Sequence, residues 1–152
     1  MLKRHEVLCN QLEAYRQETL QAVESITEEM ADVIPEGFSN NIRWNLGHLY
    51  LDQYLWIQHL TKEPAPIPNG FREWFDYGTR PADWQTAPPT LDILKKLLAE
   101  QPACIREQYG HRLEEEFPAT EMGMHTLEQV LVRTIFHEGM HLAAILAIRK
   151  FL

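Results

Sequence analysis

The sequence holds only two cysteines, Cys9 and Cys104, far apart and in no CxxC pattern. That scarcity excludes a disulfide framework and makes the cytosol the expected compartment. Positive charge is also short: 14 Lys and Arg against 22 Asp and Glu leave a net charge of −8. A chain so acidic has no basic face for phosphates, which excludes a nucleic-acid partner, and it disfavours an anionic membrane surface. The N-terminal stretch MLKRHEVLCNQLEAYRQETL has no apolar core of signal-peptide length. No window reads as long or apolar enough to span a bilayer, so no membrane partner is expected. Apolar–polar alternation of the strand type is missing throughout, and there is no internal repeat.

What remains is helical. At 152 residues, 45% hydrophobic and 24% charged, the chain reads as a single domain, 1–152, with a sizeable core. Residues 3–31 read as a first helix with Leu8, Leu12, Tyr15, Thr19 and Ile26 inward and Glu13, Arg16, Glu24 and Glu28 outward. Pro35-Glu36-Gly37 turns the chain, and Ser39 or Asn40 caps a second helix over about 41–60. Residues 61–90 carry six prolines, which rule out a long helix, yet Phe71, Trp74, Phe75, Tyr77 and Trp84 need something to pack on. Such a segment is either a stabilising crossover or the wall of a pocket. Thr90 opens a third helix to about Tyr109, which Pro102 should kink or split and Gly110 should end. The charged run 111–116 reads as solvated, and Thr126-Leu127-Glu128-Gln129 is a capping box for a fourth helix. These elements predict an all-α four-helix bundle in up-down-down-up order, with a long proline-rich crossover between helices 2 and 3.

Three histidines stand apart from the rest of this pattern. Leu127, Val130, Thr134, His137, His141, Ala144 and Ile148 step by three and four, a core-facing stripe with two imidazoles at its middle. Histidines at i and i+4 can aim their ring nitrogens at one point, as a metal requires. His48 shares a core-facing stripe of helix 2 with Trp44, Leu51 and Leu55, and helices 2 and 4 can face each other. His59, about 16 Å along the same helix, is too far to join. Three neutral imidazoles leave a divalent ion its full charge and at least one open position. Zinc or nickel suits them best, with ferrous iron also consistent, and Asn45 and Asp52 are placed to orient the His48 ring. HEGMH also fits HExxH, in which Glu138 would be a catalytic base, but no third ligand follows in 142–152 and no sheet is expected. Beside a ligand, Glu138 can equally face solvent.

NNIRWNLGHLYLDQYLW, FDYGTRPADWQTAPPTLDIL and HEGMHLAAI together resemble the DinB/YfiT-like superfamily, in particular its bacillus-type members. The resemblance spans most of the chain and keeps the order of histidine, proline-rich middle and HxxxH. It implies the same bundle, a divalent metal on His48, His137 and His141, and a homodimer. It also implies thiol-dependent chemistry of the bacillithiol or mycothiol type. The chain departs from many members in continuing with Leu142-Ala143-Ala144 after the second histidine. The function expected is a cytoplasmic metal-dependent transferase that activates a small-molecule thiol and joins it to an electrophilic substrate. A metal-dependent hydrolase with Glu138 as base, or a non-catalytic metal-binding bundle, is the alternative. The homodimer interface is expected on an apolar patch outside helix 1, helix 2 or the middle segment.

Overall fold

The computed structural model describes residues 1–152 and contains helices and no strand. The long helices are α1 (Lys3–Ala22), α3 (Ile42–Thr61), α5 (Leu91–Tyr109) and α6 (Leu127–Arg149); α2 (Glu28–Asp32) and α4 (Phe71–Phe75) are single turns, and Pro81–Asp83 forms a 3₁₀ turn. α1 packs on α5 and α6, and α3 packs on the same two. Arg4 meets Glu128 and Arg16 meets Glu138 along α1 and α6. His48 meets His137 and Asp52 meets Arg133 along α3 and α6. One continuous core runs between them, with Val23, Leu46, Leu51, Leu94, Leu98, Leu127, Val130 and Ile148 sealed from solvent.

The first helix stops earlier than its pattern suggests. The expected helix over 3–31 breaks after Ala22, and Thr27 caps a new turn by accepting from the Met30 amide at 3.2 Å. Ser25 and Thr27 favour that outcome, since short hydroxyl side chains compete for backbone partners and suit caps better than helix interiors. The restart places Glu28 and Asp32 on the buried guanidinium of Arg43 at the head of α3. Within α1 the inward stripe uses Leu12, Arg16 and Thr19, while Tyr15 is turned outward. Arg16, expected on the solvent side, is 2% exposed.

Cap and turn chemistry fixes the other ends. Asn41, one residue beyond the expected cap, accepts from the Trp44 amide at 2.8 Å. Thr90 caps α5, and Thr126 with Gln129 forms the full capping box of α6. α5 runs through Pro102 without a break. Proline has no N–H to give the carbonyl one turn back, and that carbonyl, on Leu98, accepts instead from Arg16 Nη1 at 2.9 Å. The run 111–116 is not simply solvated: Leu113 is buried and Arg112 pairs with Glu63 and Glu115.

α6 corrects the expectation about hydrophobic runs. It is long and apolar enough, by length and composition alone, to cross a membrane, with a mean hydropathy of 1.3 over its best window. Its position is that of a packed helix: it lies against α1 and α3 and buries two charged or imidazole-bearing side chains, His137 and Glu138.

Candidate metal centre

Two long helices supply the ligands of the centre, and the single-turn α4 backs one of them. His48 is on the inner face of α3, and His137 and His141 are one turn apart on α6. Their ligand atoms lie within 4.8 Å of one another, the only cluster of histidine, cysteine or acidic groups in the chain placed to hold a metal ion. His48 and His137 are buried, and His141 is partly so. His59 lies outside the cluster, paired with Glu121.

Each ring is oriented through Nδ1. His48 Nδ1 donates to the Phe75 carbonyl at 2.7 Å, and His141 Nδ1 to Asn45 Oδ1 at 2.8 Å. His137 Nδ1 faces Asp52 Oδ2 at 3.2 Å. Asn45 presents its oxygen because its amide nitrogen donates to Asn40 Oδ1 and to the Asn41 carbonyl. Asn45 and Asp52 therefore orient the two histidines across the interface and not His48, the ring beside them on α3. A residue one turn away on the same helix points past its neighbour toward the facing helix. Carbonyl and amide oxygens only accept, so His48 and His141 carry their protons on Nδ1 and keep a lone pair on Nε2, and the Asp52 carboxylate favours the same tautomer at His137.

The consequence is visible between His48 and His137, whose Nε2 atoms stand 3.2 Å apart. Two nitrogens bound to one ion at about 2.0–2.1 Å are separated by about 3.0–3.4 Å, depending on the bond angle. Two buried lone pairs facing each other are costly unless a cation lies between them. A proton is a poor candidate at His137 and His141. Burial first, then the neighbouring imidazoles, push the pKa of each down to about 3. The set suits a divalent ion.

The proline-rich segment holds this geometry from behind. Phe71 and Phe75 are buried in the core, and the Phe75 ring lies against Gly47, where any Cβ would collide with it. Trp44 stacks on His48 with ring centroids 4.6 Å apart and planes 8° from parallel, and its Nε1 donates to Thr79 Oγ1. Trp84 Nε1 donates to the Trp74 carbonyl. Most of the aromatics of the segment thus serve the packing and the backing of His48, whereas Tyr77 is 90% exposed.

Glu138 sits elsewhere. It is 7% exposed, directed at α1, and its carboxylate accepts from Arg16 Nε and Nη2 at 2.9 and 3.1 Å and from Thr19 Oγ1 at 2.7 Å. It does not face solvent, and it is not among the groups clustered with the three histidines. The remaining Arg16 donors reach Gln53, Gln101 and Leu98, which satisfies the guanidinium completely. Arg16, Phe75 and Arg133 escape a reading of the sequence. The one available signal was spacing: Arg16 falls four after Leu12 and three before Thr19, on the core stripe in spite of its charge.

The family model described as the DinB superfamily matches residues 11–145, a span that contains the three histidines, the proline-rich segment and Arg16. No curated protein matches the sequence.

Proposed function

The chain belongs to the DinB superfamily, and from that premise we propose that it is a metal-dependent enzyme, a transferase that activates a low-molecular-weight thiol of the bacillithiol type. His48, His137 and His141 hold the ion, zinc or nickel by the preference of imidazole donors. The observation that carries the reading is the set of Nδ1 bonds, which leaves three inward Nε2 lone pairs and no protein carboxylate or thiolate among them. Once bound, such an ion supplies a Lewis acid that brings a coordinated thiol or water to its anionic form near neutral pH. The chain's own residues then do the positioning. Phe75, Asn45 and Asp52 hold the rings, Trp44 covers His48, and Arg16 keeps Glu138 fixed behind His137. Glu138, with both oxygens engaged by Arg16 and Thr19, is assigned a structural role tying α6 to α1 in place of the base of an HExxH hydrolase.

The helix pairings support an up-down-down-up bundle, with residues 62–90 as the crossover that lets α3 and α5 run parallel. Two free thiols, Cys9 and Cys104, fit a cytosolic protein. A homodimer is part of the same proposal, with its interface on α6 and not on the surfaces the sequence suggested. Val132, Phe136, Met140 and Leu146 are 54%, 71%, 51% and 44% exposed along the outer face of that helix.

Thiol conjugation tests the function. Zinc- or nickel-loaded protein is incubated with bacillithiol or a cysteine-based analogue and a panel of electrophiles, and adducts are read by mass spectrometry. Metal-dependent adducts that disappear in His137→Ala support the transferase. Metal-dependent hydrolysis of the electrophiles without thiol uptake replaces it with the hydrolase.

A further inference from the structure

A cleft of about 730 Å³ lies along the C-terminal half of α3, between that helix and the start of the crossover. Leu55, His59 and Lys62 line it, and they follow His48 along one line of the helix, at steps of seven, four and three. Its near end is therefore about 10 Å from His48. Asp76, on the facing wall, follows Phe75, whose carbonyl holds the His48 ring. Leu55 and Trp56 form the apolar part of the lining, and Arg133 backs the indole with its guanidinium 4.4 Å from the ring centre, outside the cleft.

The charges around this cleft are unevenly satisfied. Glu63 is held through both oxygens by Arg112 at 2.8 Å, Glu121 by His59 at 2.9 Å, and Asp76 by the Tyr77 amide at 2.7 Å. Lys62 has no ion pair, only a longer-range attraction to Glu121. Arg72 reaches Asp76 at 3.9 Å, beyond hydrogen-bond distance. Gln58 Oε1 accepts from the Ala65 amide, which leaves the Gln58 side-chain NH₂ to donate. Lys62 is also the one residue other than glycine with a positive φ, 60°, at the C-terminal cap of α3, where glycine adopts the conformation without strain.

We propose that this cleft is a subsite for the second substrate, an electrophile with an apolar body and a terminal carboxylate. The body lies on Leu55 and Trp56 with its reacting end toward His48, and the carboxylate meets Lys62, Arg72 and the Gln58 amide. A thiol is held at the ion by its sulfur, whereas its reaction partner has no bond to the metal and needs a surface of its own. Three free donors and no free acid select a carboxylate for the far end. The inference rests on the transferase reading for the reacting end, and the binding of the tail does not depend on it.

Octanoate, with octanol as its uncharged control, tests the subsite. Zinc-loaded wild type, Lys62→Gly, Lys62→Arg and Arg72→Gln are titrated with each, following the Trp56 indole and Gln58 side-chain amide signals by nitrogen NMR. Octanoate should shift both signals in wild type and bind about fivefold more weakly in Lys62→Gly and in Arg72→Gln, for the loss of one exposed charge pair. Lys62→Arg should stay near wild type, and octanol should bind weakly and ignore all three substitutions. The urea midpoint of Lys62→Gly should rise while its octanoate affinity falls, a split that a purely structural lysine cannot give. Octanoate that moves neither signal, or that binds Lys62→Gly as tightly as wild type, overturns the proposal; a carboxylate bound only to the zinc would give the second result. Conjugation of 2-mercaptoethanol with 4-chloro-3-nitrobenzoate, against 1-chloro-2-nitrobenzene, then assigns the tail to the electrophile. The carboxylated compound should have the lower KM in wild type and lose that advantage in Lys62→Gly, and an advantage that is absent or that persists there overturns the assignment. Lys62-dependent octanoate binding without any thiol conjugation leaves the carboxylate subsite standing and removes the transferase.

Discussion

The Nε2 atoms of His48 and His137 face each other at 3.2 Å, with the Nδ1 atoms of both rings committed to acceptors behind them. The two residues are 89 positions apart in sequence. The contact makes sense as two ligands of one ion, and the fold around it holds the rings rather than the ion. Loss of a supporting group should therefore show first in metal retention.

Gly47 gives the most local test of that support. A Cβ there would drive into the Phe75 ring, whose residue also supplies the carbonyl that holds His48. Gly47→Ala should cost about 1–3 kcal/mol by overpacking and weaken metal binding along with it. Gly139→Ala, whose Cβ meets nothing, is the control: it should gain about 0.5–1 kcal/mol of helix propensity and leave metal binding unchanged. Chemical denaturation of the metal-free proteins and competition against a chelator read the two effects.

Arg16 closes a buried network on four helices, and its replacement should be severe. Arg16→Met leaves Glu138 as an uncompensated buried charge and strips the Leu98 carbonyl, freed by Pro102, of its partner. Breaking such a pair costs about 3–5 kcal/mol. The double variant Arg16→Met with Glu138→Met should recover a large part of the loss, because the orphan charge is gone. A double variant no more stable than Arg16→Met would mean that the network's worth lies in its other bonds. Urea unfolding of the four-member cycle measures it.

How much of this was legible beforehand varied with the kind of residue. The long helices, the capping box and the three histidines followed from periodicity and spacing, which depend on local geometry alone. The break after Ala22 did not, because the stripe continues in phase through Ile26 while hydroxyl side chains set the cap. Arg16 was lost for a different reason: charge argues for solvent, and only partners from three other helices make it a core residue. Asn45 and Asp52 were found by proximity to His48 but serve the rings on α6, a matter of side-chain direction that sequence spacing does not contain. Pro102 was read for the bond it removes, and the arginine that replaces that bond lies 86 positions away, on the inward stripe of α1.

Acid should destabilise the metal-free protein before its carboxylates titrate. His137 and His141 are pushed down to about 3, above all by burial, whereas in the unfolded chain they protonate near 6.5. Below pH 6.5 the unfolded state binds protons that the folded state refuses, so stability is full above that pH and declines toward pH 3. Each histidine contributes a slope of up to about 1.4 kcal/mol per pH unit. The range between pH 6.5 and 5 lies above the carboxylate titrations and isolates the effect. Urea midpoints across that range should fall for wild type and flatten when His137 and His141 are both replaced by Gln. An unchanged slope in the double variant would count against the buried neutral pair.

Metal content per chain tests the three-histidine centre most directly. Wild type and the variants His48→Ala, His137→Ala, His141→Ala, His59→Ala, His111→Ala and His125→Ala are loaded identically, desalted and assayed for bound zinc or nickel. Wild type and the last three should hold one ion per chain, since those histidines lie outside the cluster. The first three should each lose it, His48→Ala as completely as the other two despite its distance in sequence. Full metal content in His48→Ala together with loss in His137→Ala would contradict the centre and return the α6 histidines to a site of their own.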